Sequence, residues 1–258
     1  MNLNMKFFKY LPPERKTFFK DGLVRFTQPM FLNDPFECIP KFPIVEDVKL
    51  ALLSEIKNLE STLPGISNFA IPELEMINHD FLNEKIRKAQ ELLNKELGIF
   101  SLSKNWNNIL MWSHYAQNHQ GFCLEFDCNH EFFKDHFSDG GKRYKVMKSV
   151  VYSSIRSNIR MSTETPLSYD FFITKNNKWK YEHEVRLFVS LNQADVMRDE
   201  NIYLFKLPYS ALKSVIVGAN AENDLKEDII KFGQLHKVKI YENVVSNDSY
   251  LLKRKRVI

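Results

Sequence analysis

The apolar positions change period several times along the chain. Lys6 to Leu11 is a short aromatic run that predicts a strand, Pro12 and Pro13 suit the first turn of a helix, and Gly22 closes it before a second strand from Leu23 to Thr27. Asn33, Asp34 and Pro35 then stop that strand with a turn. From Val45 to Leu97 the spacing becomes helical (Val48, Leu52, Ile56, Leu59, then Ile86, Ala89, Leu93), with a loop expected around Pro64, Gly65 and Pro72. This predicts an insertion of two or three helices. After Gly98 the pattern gives a strand Ile99 to Ser103, a helix Asn107 to Asn118, strands Phe122 to Phe126 and Lys145 to Tyr152, a helix Pro166 to Asn177, and a strand Val185 to Ser190. The remainder alternates: strand Tyr203 to Leu207, short helix Tyr209 to Leu212, strand Ser214 to Val217, helix Ala221 to Leu235, and strands Lys239 to Val244 and Tyr250 to Arg254.

Strands mixed irregularly with helices, on connections both short and long, predict an α+β protein. Its expected form is a single domain over 1–258 with a mixed, largely antiparallel sheet flanked by helices, and a helical insertion at 45–97. No GxGxxG or GxxxxGKT loop is present, so dinucleotide-fold and P-loop readings lack their main warrant.

Composition narrows this further. With 44% apolar and 13% aromatic residues in 258, the chain can bury a sizeable core, and 21 Phe against 8 Gly favours regular elements over loops. Cys38, Cys123 and Cys128 form no CxxC pair and are read as reduced thiols in a cytoplasmic protein. No segment has the apolar length of a leader or a membrane span, so no membrane partner is expected. The net charge of +4 is concentrated at Lys253 to Arg256, which reads as a solvated basic tail.

Two places carry candidate chemistry. In KNNKWKYEHEVRLFV, Glu182 and Glu184 lie two apart at a strand entry and are expected on one face, with Arg186 continuing it. Carboxylates so placed repel unless a cation, a metal or a substrate hydroxyl lies between them, and such pairs often have one raised pKa suited to acid/base work. The structural alternative pairs them with Arg186 or Lys175 on an exposed face. In LMWSHYAQNHQGFCLEFD, Trp112, Tyr115 and His119 are spaced for one helical face, with His114 turned away; a core stripe is the alternative. A zinc site is not expected, and a divalent-metal site from Asp34, Glu37, Glu182 and Glu184 has no spacing signature.

The segments FKYL, RFTQPMFLNDPFE, MWSHYAQNHQGFCLEFD and KxxxWxYExExR together resemble a bacterial family known as domain of unknown function 2971, over roughly Phe7 to Val189. The order of motifs is also similar to that of ADP-ribosyltransferases, with Tyr10, Thr27, Ser103 and Glu184 or Glu182 in the matching places, although Lys9 and Tyr10 stand where those enzymes carry a His or Arg triplet. That resemblance implies an NAD-consuming transferase modifying a protein or nucleic acid, with phage defence as a setting. Glu184 would be the catalytic carboxylate, Glu182 its neighbour, and His119 a further catalytic candidate. Tyr10, Thr27, Ser103, Trp112 and Tyr115 would line the cofactor pocket, and Arg25 or Arg186 would meet the pyrophosphate, unless Arg186 only orients the glutamates. A metal-dependent phosphodiesterase or nuclease and a non-enzymatic binding or regulatory module are the other readings.

Overall fold

The computed structural model describes residues 6–39, 41, 43–138, 143–157 and 170–258. In chain order the strands are β1 (Lys6–Leu11), β2 (Leu23–Phe26), β3 (Leu97–Ser103), β4 (Phe122–Asp127), β5 (His136–Ser138), β6 (Arg143–Ser149), β7 (Val151–Ser153), β8 (Thr174–Asn176), β9 (Glu184–Ser190), β10 (Val196–Arg198), β11 (Ile202–Lys206), β12 (Leu212–Val217), β13 (Lys239–Val245) and β14 (Leu252–Arg256). The helices are α1 (Phe18–Asp21), α2 (Val45–Leu59), α3 (Ile66–Leu74), α4 (His79–Glu96), α5 (Ile109–Tyr115), α6 (Asp170–Ile173) and α7 (Asn223–His236).

Nine strands form one sheet in the order β14-β13-β12-β4-β1-β3-β9-β6-β5, antiparallel except for the β12/β13 pair. The α+β class and the mixed, largely antiparallel sheet are therefore as the sequence pattern predicts. Two shorter sheets, β10-β11-β2 and β7-β8, stand beside it.

Strand alternation assigns the two faces. On one, Phe7, Phe100, Phe126, Leu187 and Val215 pack with α7 residues Ile229 and Phe232 into a dry core; fully burying such a side chain contributes roughly 1.5–3 kcal/mol. On the other, Phe8, Tyr10, Cys123 and Ile216 meet Trp112 of α5. One irregularity matters for function. β1 is laddered to β4 from Lys6 to Leu11, and β3 to β9 from Leu97 to Ser103, but β1 meets β3 at the single pair Phe8↔Ser103. The sheet is split there, and the Lys9 ammonium spans the gap to the Ser101 carbonyl at 2.8 Å.

Several local expectations are corrected. Residues 45–97 hold three helices, with Pro72 inside α3 rather than in a loop, and these helices share a cluster around Val48, Ile56 and Leu82. The expected helix Pro166 to Asn177 lies partly outside the described residues; within them α6 ends at Ile173 and β8 follows, because Thr174 to Asn176 pair with β7. The helix expected to Asn118 stops at Tyr115. Gln117, Asn118 and His119 are left-handed (φ 47, 52 and 68°), and a Cβ on Gly121 would lie 2.0 Å from the Leu11 carbonyl oxygen, so only glycine lets this turn seat on β1. No helix among the described residues is long and apolar enough to cross a membrane.

Candidate functional site

The carboxylate pair is built differently from the strand-face expectation. Asn176 caps a 3-10 helix over Asn177–Glu182 by accepting from the Lys178 amide, and His183 ends it in a left-handed conformation (φ 45°). The strand begins only at Glu184, so Glu182 and Glu184 do not share a strand face. The turn between them is held by the Ser103 hydroxyl, which donates to the Glu182 carbonyl at 2.7 Å, and by the Lys104 amide, which donates to the His183 carbonyl. Ser103 sits at the split in the sheet, so the glutamates are delivered to that point.

A buried lysine joins them. Lys175 Nζ of β8 lies 2.6 Å from Glu182, 2.9 Å from Glu37 and 3.4 Å from Glu184. Arg186, fully buried, donates from Nε to Glu184 Oε1 at 2.8 Å and from Nη2 to Glu184 Oε2 and to Glu37, with Nη1 on the Phe172 carbonyl. The ion pairs are thus buried, against the alternative of an exposed pairing. Three carboxylates face two committed cations. The centre among Glu37, Glu182 and Glu184 is taken by the Lys175 ammonium, which is the place a divalent metal would need.

Their acidities diverge. Burial alone would raise Glu184, but Arg186 and then Lys175 outweigh it and hold that carboxyl at about 2. Glu182 moves the other way: burial raises it, Glu184 adds to the rise, and Lys175 and the Tyr115 hydroxyl only partly oppose. Lys175 is raised because Glu184, Glu37 and Glu182 overcome its desolvation.

Beside this network, at the split, is a cavity of about 210 Å³. Of the sequence candidates, Tyr10, Thr27, Ser103, Tyr115, Glu182 and Glu184 line it. Tyr115 donates to Glu182 at 2.5 Å and accepts from Asn33 at 2.8 Å, and Tyr10 donates to the Asn105 carbonyl. Burial raises both phenols, so they remain protonated donors.

The structure does not bring the other candidates there. Trp112 is wholly buried in the core against Tyr10, with its indole N–H on the Trp106 carbonyl. His119, thrown off the helix by the left-handed turn, stacks on Trp112 and faces a different cavity beside the 245–252 loop. Arg25 lies against Phe31, outside the wall, and Arg186 sits behind Glu184 and out of the cavity, where it orients Glu184 and Glu37.

In the sequence, Lys175 and Glu37 read only as an exposed ion-pair partner and as a metal candidate without a spacing signature, whereas the structure buries them together; Lys9 carries no assignment to the site at all. Glu37 comes two residues after the Asn33–Pro35 turn and reaches Arg186 across 149 positions. Lys9 lines the cavity over the Phe100 ring, and desolvation lowers its ammonium to about 8. That Lys175 is buried among carboxylates while Lys178 and Lys180 stay solvated is not visible in the sequence.

Residues 111–187 match the model of a family described as "Protein of unknown function (DUF2971)". The matched stretch runs from α5 into β9 and takes in Tyr115, Lys175, Glu182, Glu184 and Arg186. No curated protein and no solved structure matches the chain.

Proposed function

We propose that the chain is an NAD-consuming transferase of the ADP-ribosyl type, acting on a macromolecular acceptor. The observation that carries this reading is the pair of carboxylates on one cavity whose acidities are pushed in opposite directions, the arrangement that divides electrostatic from proton-transfer roles. Glu184, held ionised, faces the positive charge that develops on the ribose as its bond to nicotinamide breaks. The bonding pair leaves with the nicotinamide ring nitrogen and neutralises it, the acceptor's nucleophile bonds to the ribose carbon, and its proton passes to Glu182. Tyr115, bonded to Glu182, fixes that carboxylate's orientation.

A cavity of about 210 Å³ fits the nicotinamide and its ribose, and is below the roughly 300–1,000 Å³ that encloses a drug-sized ligand, so the adenosine half would lie across the rim. Incubating the protein with NAD labelled in the adenosine half and cell extract is expected to transfer label and release nicotinamide. Glu184→Gln should cut the rate by roughly 10²–10³ with the fold intact. Failure of the wild type to bind NAD in calorimetry overturns the reading.

A further inference from the structure

The rim of the cavity has a composition that the site itself does not use. Accessible aromatic rings stand near it with cations beside them. Phe31, 43% exposed, borders the cavity, and the Arg25 guanidinium lies 5.8 Å from its ring. Phe36, 59% exposed, borders a second cavity that shares Lys175 and Glu37 with the first, and Arg156 lies 4.8 Å from that ring. Above Lys175, the half-buried Trp179 covers the ammonium at 4.7 Å on one side. It leads through Tyr181 to His114, with ring centroids 6.1 and 6.0 Å apart. Lys178 and Lys180 flank Trp179, are exposed, and have no carboxylate partner among the described residues.

Accessible aromatic rings beside a cavity suit flat, apolar bases, and the exposed Lys178 and Lys180 beside Trp179, with Arg25 and Arg156 next to the two phenylalanines, suit phosphates. Together these are the requirements of a single nucleic-acid strand, whose bases stack on aromatic side chains while its backbone follows positive charge. A duplex keeps its base faces covered and cannot use such a platform. We propose that this rim binds single-stranded nucleic acid, which makes such a strand the acceptor of the transfer proposed above. The inference deepens that reading for the acceptor, yet binding of the strand needs no NAD and can be measured alone. Stacking and phosphate contacts do not read the sugar, so RNA and DNA strands of one sequence should bind alike.

The experiment is fluorescence anisotropy of the full chain with a short labelled mixed-sequence strand, as RNA, as DNA and as the corresponding duplex, without NAD. The single strands are expected to bind at least tenfold more tightly than the duplex. Trp179→Ala should weaken binding about tenfold, the loss of one stacked base. Because Trp179 covers Lys175 and that variant risks misfolding, the exposed double variant Lys178→Gln/Lys180→Gln supplies the second measurement. It should make the dependence of log affinity on log salt shallower by about 1.4, from about 0.7 per lost phosphate contact. The same neutralisation at Lys231, on α7 across the sheet, should change nothing. No binding by the wild type, or equal loss with Lys231→Gln, overturns the inference. The wild type separates the two ideas: strand binding without NAD binding or label transfer leaves this inference standing and removes the transferase, while NAD binding and label transfer to another acceptor without strand binding does the reverse.

Discussion

The same sheet buries two acidic centres, and they differ in a way that distinguishes structure from chemistry. At Glu125 of β4, one nearly inaccessible carboxylate receives Lys6 at 2.7 Å, Arg254 at 2.7 Å and the Ser214 hydroxyl at 2.6 Å. The pairing outweighs burial and leaves the carboxyl below its ordinary range. Its cations reach solvent, being 45% and 26% exposed. At Glu184 the relation is reversed. The cations Lys175 and Arg186 are buried, carboxylates outnumber them, and a cavity adjoins. A centre that stabilises a fold has a surplus of partners and no opening, whereas this one has a surplus of carboxylate beside an opening. In the proposed transferase, that surplus would leave one carboxylate to exchange a proton while the others balance the cations.

The contrast is broken most forcefully at the cations. Arg186→Met leaves Glu37 and Glu184 without their main partner in the interior and should cost about 3–5 kcal/mol, read as a melting temperature lower by on the order of 10 °C. Glu125→Gln should cost only about 1 kcal/mol, because Lys6 and Arg254 turn to water. Equal losses would show that the two centres are not different in kind.

Acid sharpens the comparison next. Glu184 is depressed from the ordinary 4.5 to about 2, so the stability it contributes is present above pH 4.5 and is lost as pH falls towards 2. Glu184→Gln removes that titration while leaving two carboxylates for the two buried cations, and its denaturation curve should flatten in this window. An unchanged acid limb would place the titration elsewhere.

The smallest effect concerns Lys9, the cavity lysine with a carbonyl rather than a carboxylate as its bonded neighbour. With its ammonium at about 8, it should be acylated at pH 8 ahead of the ordinary lysines, as read by peptide mass spectrometry, and NAD should protect it. Labelling no faster than that of Lys178 would contradict its placement in the cavity.

Much of this was legible in the chain. The aromatic run Lys6 to Leu11 marked β1, the Asn33–Pro35 turn ended the second strand region, and the acidic entry to β9 marked where the glutamates lie. The helical spacing of Trp112, Tyr115 and His119 was less informative. It put all three on one face, but the glycine at Gly121 and the left-handed residues before it end the helix early, leaving Tyr115 in the cavity, Trp112 in the core and His119 elsewhere.

By itself the sequence determined the α+β class and the concentration of acid at Glu182 and Glu184, since each follows from spacing along a few residues. Only the tertiary structure decided that the sheet splits at Phe8 and Ser103, that Lys175 lies at the centre of three carboxylates, and that Glu37 reaches Arg186 from 149 positions away. Periodicity reports which way a side chain faces, whereas a charge network depends on which distant charges meet, and that is fixed only when burial forces each of them to find a partner.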